Sequence, residues 1–235
     1  MRLYEECMEG LGKLLRQFPV RRWKSVSGVD WPDEGRNQMI FQSDTAYELG
    51  GGTLSALSGI MFTDREEEVP EDEILLYGKD LPELTENTAY ARIALVRIKA
   101  DGAEDTDALY QMLRRIDYSR YHLNPKGYMM RISATNRREV VRVGRMALQE
   151  GLTFARVGEL FLRAYHKHPE VEAVKLVFVT LPEFPYKETS GFLEKAENIT
   201  KTLDHLMKKV KMDCHACSLK EVCAEVEALC NEEKK

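Results

Sequence analysis

Residues 174 to 180 read VKLVFVT. The run is rich in β-branched and aromatic side chains and has almost no apolar–polar alternation, so as a strand it must be covered on both faces. That requirement asks for a sheet with other layers against it, and the neighbouring segments supply them. Leu3, Cys7, Leu11, Leu14, Leu15 and Phe18 recur at helical spacing before Pro19. Helical patterns are also expected at Ala108 to Ile116, Val140 to Gln149, Phe154 to Lys167 and Ser190 to Met212. In the fourth of these five segments Phe154, Val157, Phe161, Ala164 and Tyr165 line one face, with Glu159 and Arg163 four apart on the other.

Further strands are expected at Gln38 to Gln42, Leu57 to Phe62, Ile74 to Tyr77, Arg92 to Ile98 (RIALVRI) and Gly127 to Ile132. The alternation of the two element types implies an α/β (α+β) fold, a layered mixed sheet with helices, ending in a helical segment that carries a cysteine cluster. The divisions expected are an N-terminal helix and linker over residues 1–36, an α/β domain over 37–189, and a helix plus cysteine segment over 190–235. WPDEGRN, residues 31 to 37, reads as a loop, and DREEEVPEDE, residues 64 to 73, as solvated acidic surface. The three consecutive glycines of SDTAYELGGG, residues 43 to 52, ask for a turn with positive φ; close backbone approach to a ligand is the other reading.

The formal charge of −5 is unevenly spread. Residues 1–113 carry 12 basic and 22 acidic side chains, residues 114–168 carry 12 and 4, and residues 169–235 carry 10 and 13. A basic excess confined to one block argues against general nucleic-acid binding and for one anionic partner at one place. Its arginines are Arg114, Arg115, Arg120, Arg131, Arg137, Arg138, Arg142, Arg145 and Arg156, with Arg163 beyond them. If 136–145 is helical, Arg138, Arg142 and Arg145 share a face and could grip phosphate oxygens through their planar guanidinium forks; a solvated or subunit-docking face is the plainer reading. No apolar run approaches the ~20 residues of a membrane helix, and the first residues lack a secretory apolar core, so a cytoplasmic protein with reduced thiols is expected. No phosphate loop, Ser-His-Asp set or paired-carboxylate site is evident. His122, His166, His168 and His205 read as ordinary histidines, and His215 as solvent-facing.

Four of the five cysteines fall in DCHACSLKEVCAEVEALC, residues 213 to 230, spaced C-x2-C-x5-C-x6-C: Cys214, Cys217, Cys223 and Cys230. In a reducing compartment such a group holds metal more often than it forms disulfides. Ligands drawn from one short run are the style of iron-sulfur sites, whereas structural zinc more often uses two separated knuckles. Cys230 lies two turns beyond Cys223, ~10.5 Å apart at Cα on an ideal helix, so a small buried hydrophobe is its alternative reading.

The runs SDTAYELGGGTLSALSGIMFTD, ILLYGKDLPEL, HLNPKGYMMRIS, GLTFARVGELFLRAYHKHPEVEAVKLVFVT and DCHACSLKEVCAEVEAL resemble, in this order, the middle part of the β subunit of the carbon monoxide dehydrogenase/acetyl-CoA synthase complex. The resemblance implies a 4Fe-4S cluster on Cys214, Cys217 and Cys223, with Cys230 as the expected fourth ligand and Cys217 in the position that bridges to nickel. It implies a component of CO-methylating acetyl-CoA synthase chemistry, CoA phosphates approaching the arginines, and a complex subunit or a corrinoid protein as partner. The family's downstream Cys-Gly-Cys nickel motif does not occur in the sequence, so nickel is expected to be supplied elsewhere. A non-catalytic assembly or binding subunit, with iron-sulfur or zinc as a staple, is the alternative expectation.

Overall fold

The computed structural model describes residues 2–24, 30–35, 38–99, 106–133, 138–208, 219, 222–223 and 225–227. Among the described residues the main elements follow one another as α1 (Glu5–Leu15), β1 (Arg21–Lys24), β2 (Thr45–Leu49), β3 (Ala56–Thr63), β4 (Glu73–Tyr77), β5 (Tyr90–Ile98), α2 (Thr106–Tyr118), β6 (Tyr128–Ile132), β7 (Glu139–Gly144), α3 (Arg145–Gln149), α4 (Phe154–Tyr165), β8 (Val171–Val179) and α5 (Tyr186–Lys208). The strands form a five-stranded sheet, order β1-β4-β8-β5-β3, and a three-stranded sheet, order β2-β7-β6. The larger sheet is mixed: β4 and β8 run parallel, as do β3 and β5, while β5 and β8 run antiparallel.

The VKLVFVT run sits in β8, the middle strand of the larger sheet, as its lack of alternation requires. Register shows which helix covers which face. Gly59 pairs with Ile93 and Ser58 with Arg92, and successive residues of a strand point to opposite faces. A Cβ on Gly59 would lie 2.5 Å from Leu193 of α5, so the absence of a side chain is what lets α5 close on β3. Arg92, on the other face, lies under the Phe161 ring of α4, 4.3 Å from guanidinium to centroid. Helices α4 and α5 therefore cover opposite faces, and α1 and α2 flank α5. The triple-glycine turn adopts the expected geometry: Gly50 and Gly52 have φ of 67° and 60°.

Two expectations fail for identifiable reasons. Val140 to Gln149 is not one helix; it splits into β7 and the short α3. Glu139, Val141 and Val143 are buried while Val140 and Arg142 are half-buried, the two-residue period of a strand face. Gly144 ends the strand extended, and the remote Asp44 carboxylate accepts the Met146 amide in the first turn of α3. Gln38 to Gln42 is not a strand either, because its backbone is engaged by other groups: Ile40 O accepts from Arg142, and Phe41 O from the Asp44 amide and the Thr45 hydroxyl. Strand β1, RRWK, has no apolar alternation to reveal it and is defined by pairing with β4 at the sheet edge. Glu159, expected on the exposed face of α4, is only 5% exposed. Among the described residues no helix is long and apolar enough to cross a membrane.

Candidate functional site

The predicted arginines are brought together by strand register, not by a helix. Glu48 of β2 faces Arg142 of β7, which faces Met129 of β6, while Arg131 faces Val140. Cross-strand partners share a sheet face, so Glu48, Arg142, Arg131 and Arg138 converge on one side of the smaller sheet. The Glu48 carboxylate accepts from Arg131 Nη2 at 2.7 Å and Arg142 Nε at 3.1 Å. Arg138 donates to the carbonyls of Gly50 and Gly52 at 2.7 and 2.6 Å, which anchors the triple-glycine turn. Arg145, in α3, donates to Thr45 O at 3.1 Å. Arg137 lies outside the described residues.

An open groove of ≈ 500 Å³ runs between Glu48, Gly52, Arg131, Ser133 and Arg138. Two guanidiniums, Arg131 and Arg142, share one carboxylate here, and the positive charge left over suits phosphate or carboxylate oxygens. Glu48, the counter-charge, was not singled out in the sequence; only its place opposite Arg142 reveals it. The rest of the basic block is dispersed. Arg115 pairs with Glu170, Arg156 caps the Glu150 and Gly151 carbonyls, Arg163 pairs with Asp30, and Arg120 is buried beside Asp117.

Of the four clustered cysteines, Cys214, Cys217 and Cys230 lie outside the described residues, as does His215. Cys223 belongs to a helical turn whose amide donates to Leu219 O at 2.8 Å. Leu219 and Val226 are buried, Val222 packs on the core, and Glu225 reaches Lys195 of α5, which also pairs with Glu6 of α1. This turn is thus docked on α5 and the core, with Cys223 only half-buried. The chemistry of the four-thiol donor set fits an iron-sulfur cluster, and a half-buried Cys223 on an anchored turn is compatible with ligation. Cys7 is different: burial pushes its thiol up to about 11, so it stays protonated and inert in the core. Among the described residues no group of three or more His, Cys, Asp or Glu side chains could hold a metal ion.

A second polar cluster went unseen in the sequence. Arg92 and Glu139 meet at 2.9 and 2.5 Å with no exposure of either side chain, beside the Tyr90 and Tyr128 hydroxyls, themselves 2.5 Å apart. Burial opposes the Arg92 charge, but the Glu139 carboxylate outweighs it and holds the guanidinium well above its ordinary range. Burial also drives both tyrosines far up, keeping them neutral. The cluster joins β5 to the smaller sheet and is closed to any substrate. An arginine inside the apolar RIALVRI run was its one signal. Among the histidines, His166 meets Asp72 at 2.8 Å and His168 meets the Ser119 hydroxyl at 2.6 Å. His122 packs on Tyr118, and His205 is in α5 with its side chain outside the description.

Compared with known proteins, residues 34–183 match the family described as the CO dehydrogenase/acetyl-CoA synthase complex beta subunit. No curated protein matches the chain.

Proposed function

This chain belongs to the family of the CO dehydrogenase/acetyl-CoA synthase complex beta subunit, and on that premise we propose that it is the iron-sulfur subunit of such a complex. Cys214, Cys217, Cys223 and Cys230 would hold a 4Fe-4S cluster, which when bound supplies electron transfer or the iron-sulfur half of an organometallic centre. The observation that carries the reading is the donor set: four thiols within one 17-residue span, 214 to 230, in a member of this family. Docking of the Cys223 turn on α5 and the core supports it, because a cluster needs ligands fixed by the fold around them.

The arginine groove is the proposed approach for the phosphates of CoA. Arg131 and Arg142 would orient phosphate oxygens by exchanging part of their hold on Glu48, and Arg138 would contribute from the glycine turn. The partner would be a subunit of the complex or a corrinoid protein, in the cytoplasm. Nickel is assigned to no residue of this chain.

The test is metal analysis of anaerobically purified protein with EPR of the dithionite-reduced state. About four irons per chain and a reduced-cluster signal are expected, both lost in Cys217→Ser. A colourless protein with stoichiometric zinc overturns the reading in favour of a structural metal. Nickel retained with the iron would extend it to the organometallic centre.

A further inference from the structure

Beyond the cysteine segment and the arginine groove, a cavity of ≈ 340 Å³ lies where β3, α2 and α5 meet. Strand β3 is the last strand of its sheet, and the consecutive residues Ser58, Gly59 and Ile60 all line the space, as an approach from an open strand edge produces. The floor is apolar: Phe62 is 1% exposed and Leu193 2%, with Ile60 between them on the wall. The polar side of the cavity is charged. Arg120 is nine-tenths buried there, and Arg114 and Lys201 stand half-exposed at the rim.

These charges do not balance. Against the three cations stand two carboxylates: Asp117, shared by Arg120 at 3.1 Å and Arg114 at 3.8 Å, and Glu197, held by Lys201 at 2.8 Å. Among the described residues that line the cavity, three minus two leaves one positive charge beside an apolar surface. Arg120 is held to Asp117 through Nε, but its terminal nitrogens make longer contacts: 3.5 Å to Ser58 Oγ and 3.4 Å to Asp117 Oδ2, with 3.1 Å to the Tyr121 hydroxyl. These terminal nitrogens have donor capacity for a better acceptor. The volume lies at the small end of the range for organic-ligand pockets, about 300–1,000 Å³.

We propose that this cavity is a binding site for a short organic monoanion, a monocarboxylate whose aliphatic body lies on Ile60, Phe62 and Leu193 and whose carboxylate meets Arg120 and Arg114. The surplus of a single charge selects against dianions, and the apolar floor selects against short, fully hydrated acids. None of the described residues that line it is a cysteine, and the binding does not depend on any metal.

The test is calorimetric titration of the full chain with straight-chain monocarboxylates from propanoate to octanoate, with hexanamide and adipate as controls. Saturable one-to-one binding that strengthens with chain length to a limit is expected, with hexanamide and adipate at least about tenfold weaker. The double variant R114Q/K201Q should weaken the best acid about tenfold. Because both residues are half-exposed, its denaturation midpoint should match that of the parent, which separates loss of binding from loss of fold. R22Q, on β1 at the opposite edge of the sheet from β3, should leave acid binding unchanged. Absence of saturable binding across the series, equal binding of hexanamide, or weakening by R22Q in place of R114Q/K201Q would overturn the proposal.

Discussion

Among the arginine–glutamate contacts that join strands in this molecule, the one at Glu139 and those at Glu48 differ mainly in their access to water. Arg92 and Glu139 meet with neither side chain exposed, whereas Arg131, Arg142 and Glu48 meet with 50%, 25% and 22% of their side chains exposed. The distances overlap, so contact geometry does not separate the pairs. What separates them is the alternative open to each group. A guanidinium at the groove can exchange its carboxylate for water or a ligand oxygen at little loss, whereas Arg92 has no alternative acceptor comparable to Glu139. The same chemical pair is therefore a structural tie at the junction of the two sheets and an exchangeable contact within the smaller one.

The sharpest way to break the comparison is to remove one partner of the buried pair. E139Q leaves the Arg92 charge uncompensated and should lower stability by about 3–5 kcal/mol in urea denaturation. R92M/E139L, which removes both charges, should recover most of that loss. If the single and double variants are equally unstable, packing rather than charge governs the junction. The next effect is at the glycine turn that Arg138 anchors. Gly50 has φ 67°, and a Cβ there would lie 2.3 Å from that of Ala56, so G50A should lose about 2 kcal/mol or more.

A third pair, about as exposed as the groove contacts, adds a pH dependence. The Asp72 carboxylate beside His166 raises that imidazole above its ordinary value, outweighing partial burial. The folded state then holds the proton more tightly than the unfolded one. Its stabilisation is complete below the unfolded value of about 6.5 and is lost as pH rises through the higher folded value. Between about pH 6 and pH 8, H166N should flatten the stability profile by at most ~1 kcal/mol, given the exposure of the pair. The smallest effect on stability belongs to the groove. E48Q should change the unfolding free energy by no more than ~1 kcal/mol, while CoA binding measured by calorimetry should tighten a few-fold as Arg131 and Arg142 are released. A large loss of stability with no gain in CoA affinity would place Glu48 with the structural ties instead.

The sequence by itself determined the elements whose signal is local. The helical stripes of α1, α2 and α4, the strands β3, β4, β5, β6 and β8, and the glycine turn all follow from side-chain period and backbone freedom within a few residues. The C-x2-C-x5-C-x6-C spacing is likewise complete as written. Where two periods fit the same short run, only the tertiary structure decided. Residues 140–149 place apolar groups acceptably for a helix, yet β2 and β6 claim 139–144 by pairing on both sides. Edge strand β1 has no pattern of its own and exists because β4 offers a ladder. The charged sites are the furthest from legible, since Arg142 finds Glu48 from 94 residues away and Arg92 finds Glu139 from 47. Whether an arginine becomes a tie or a ligand grip depends on the water left around it, and that is set only once the sheets have packed.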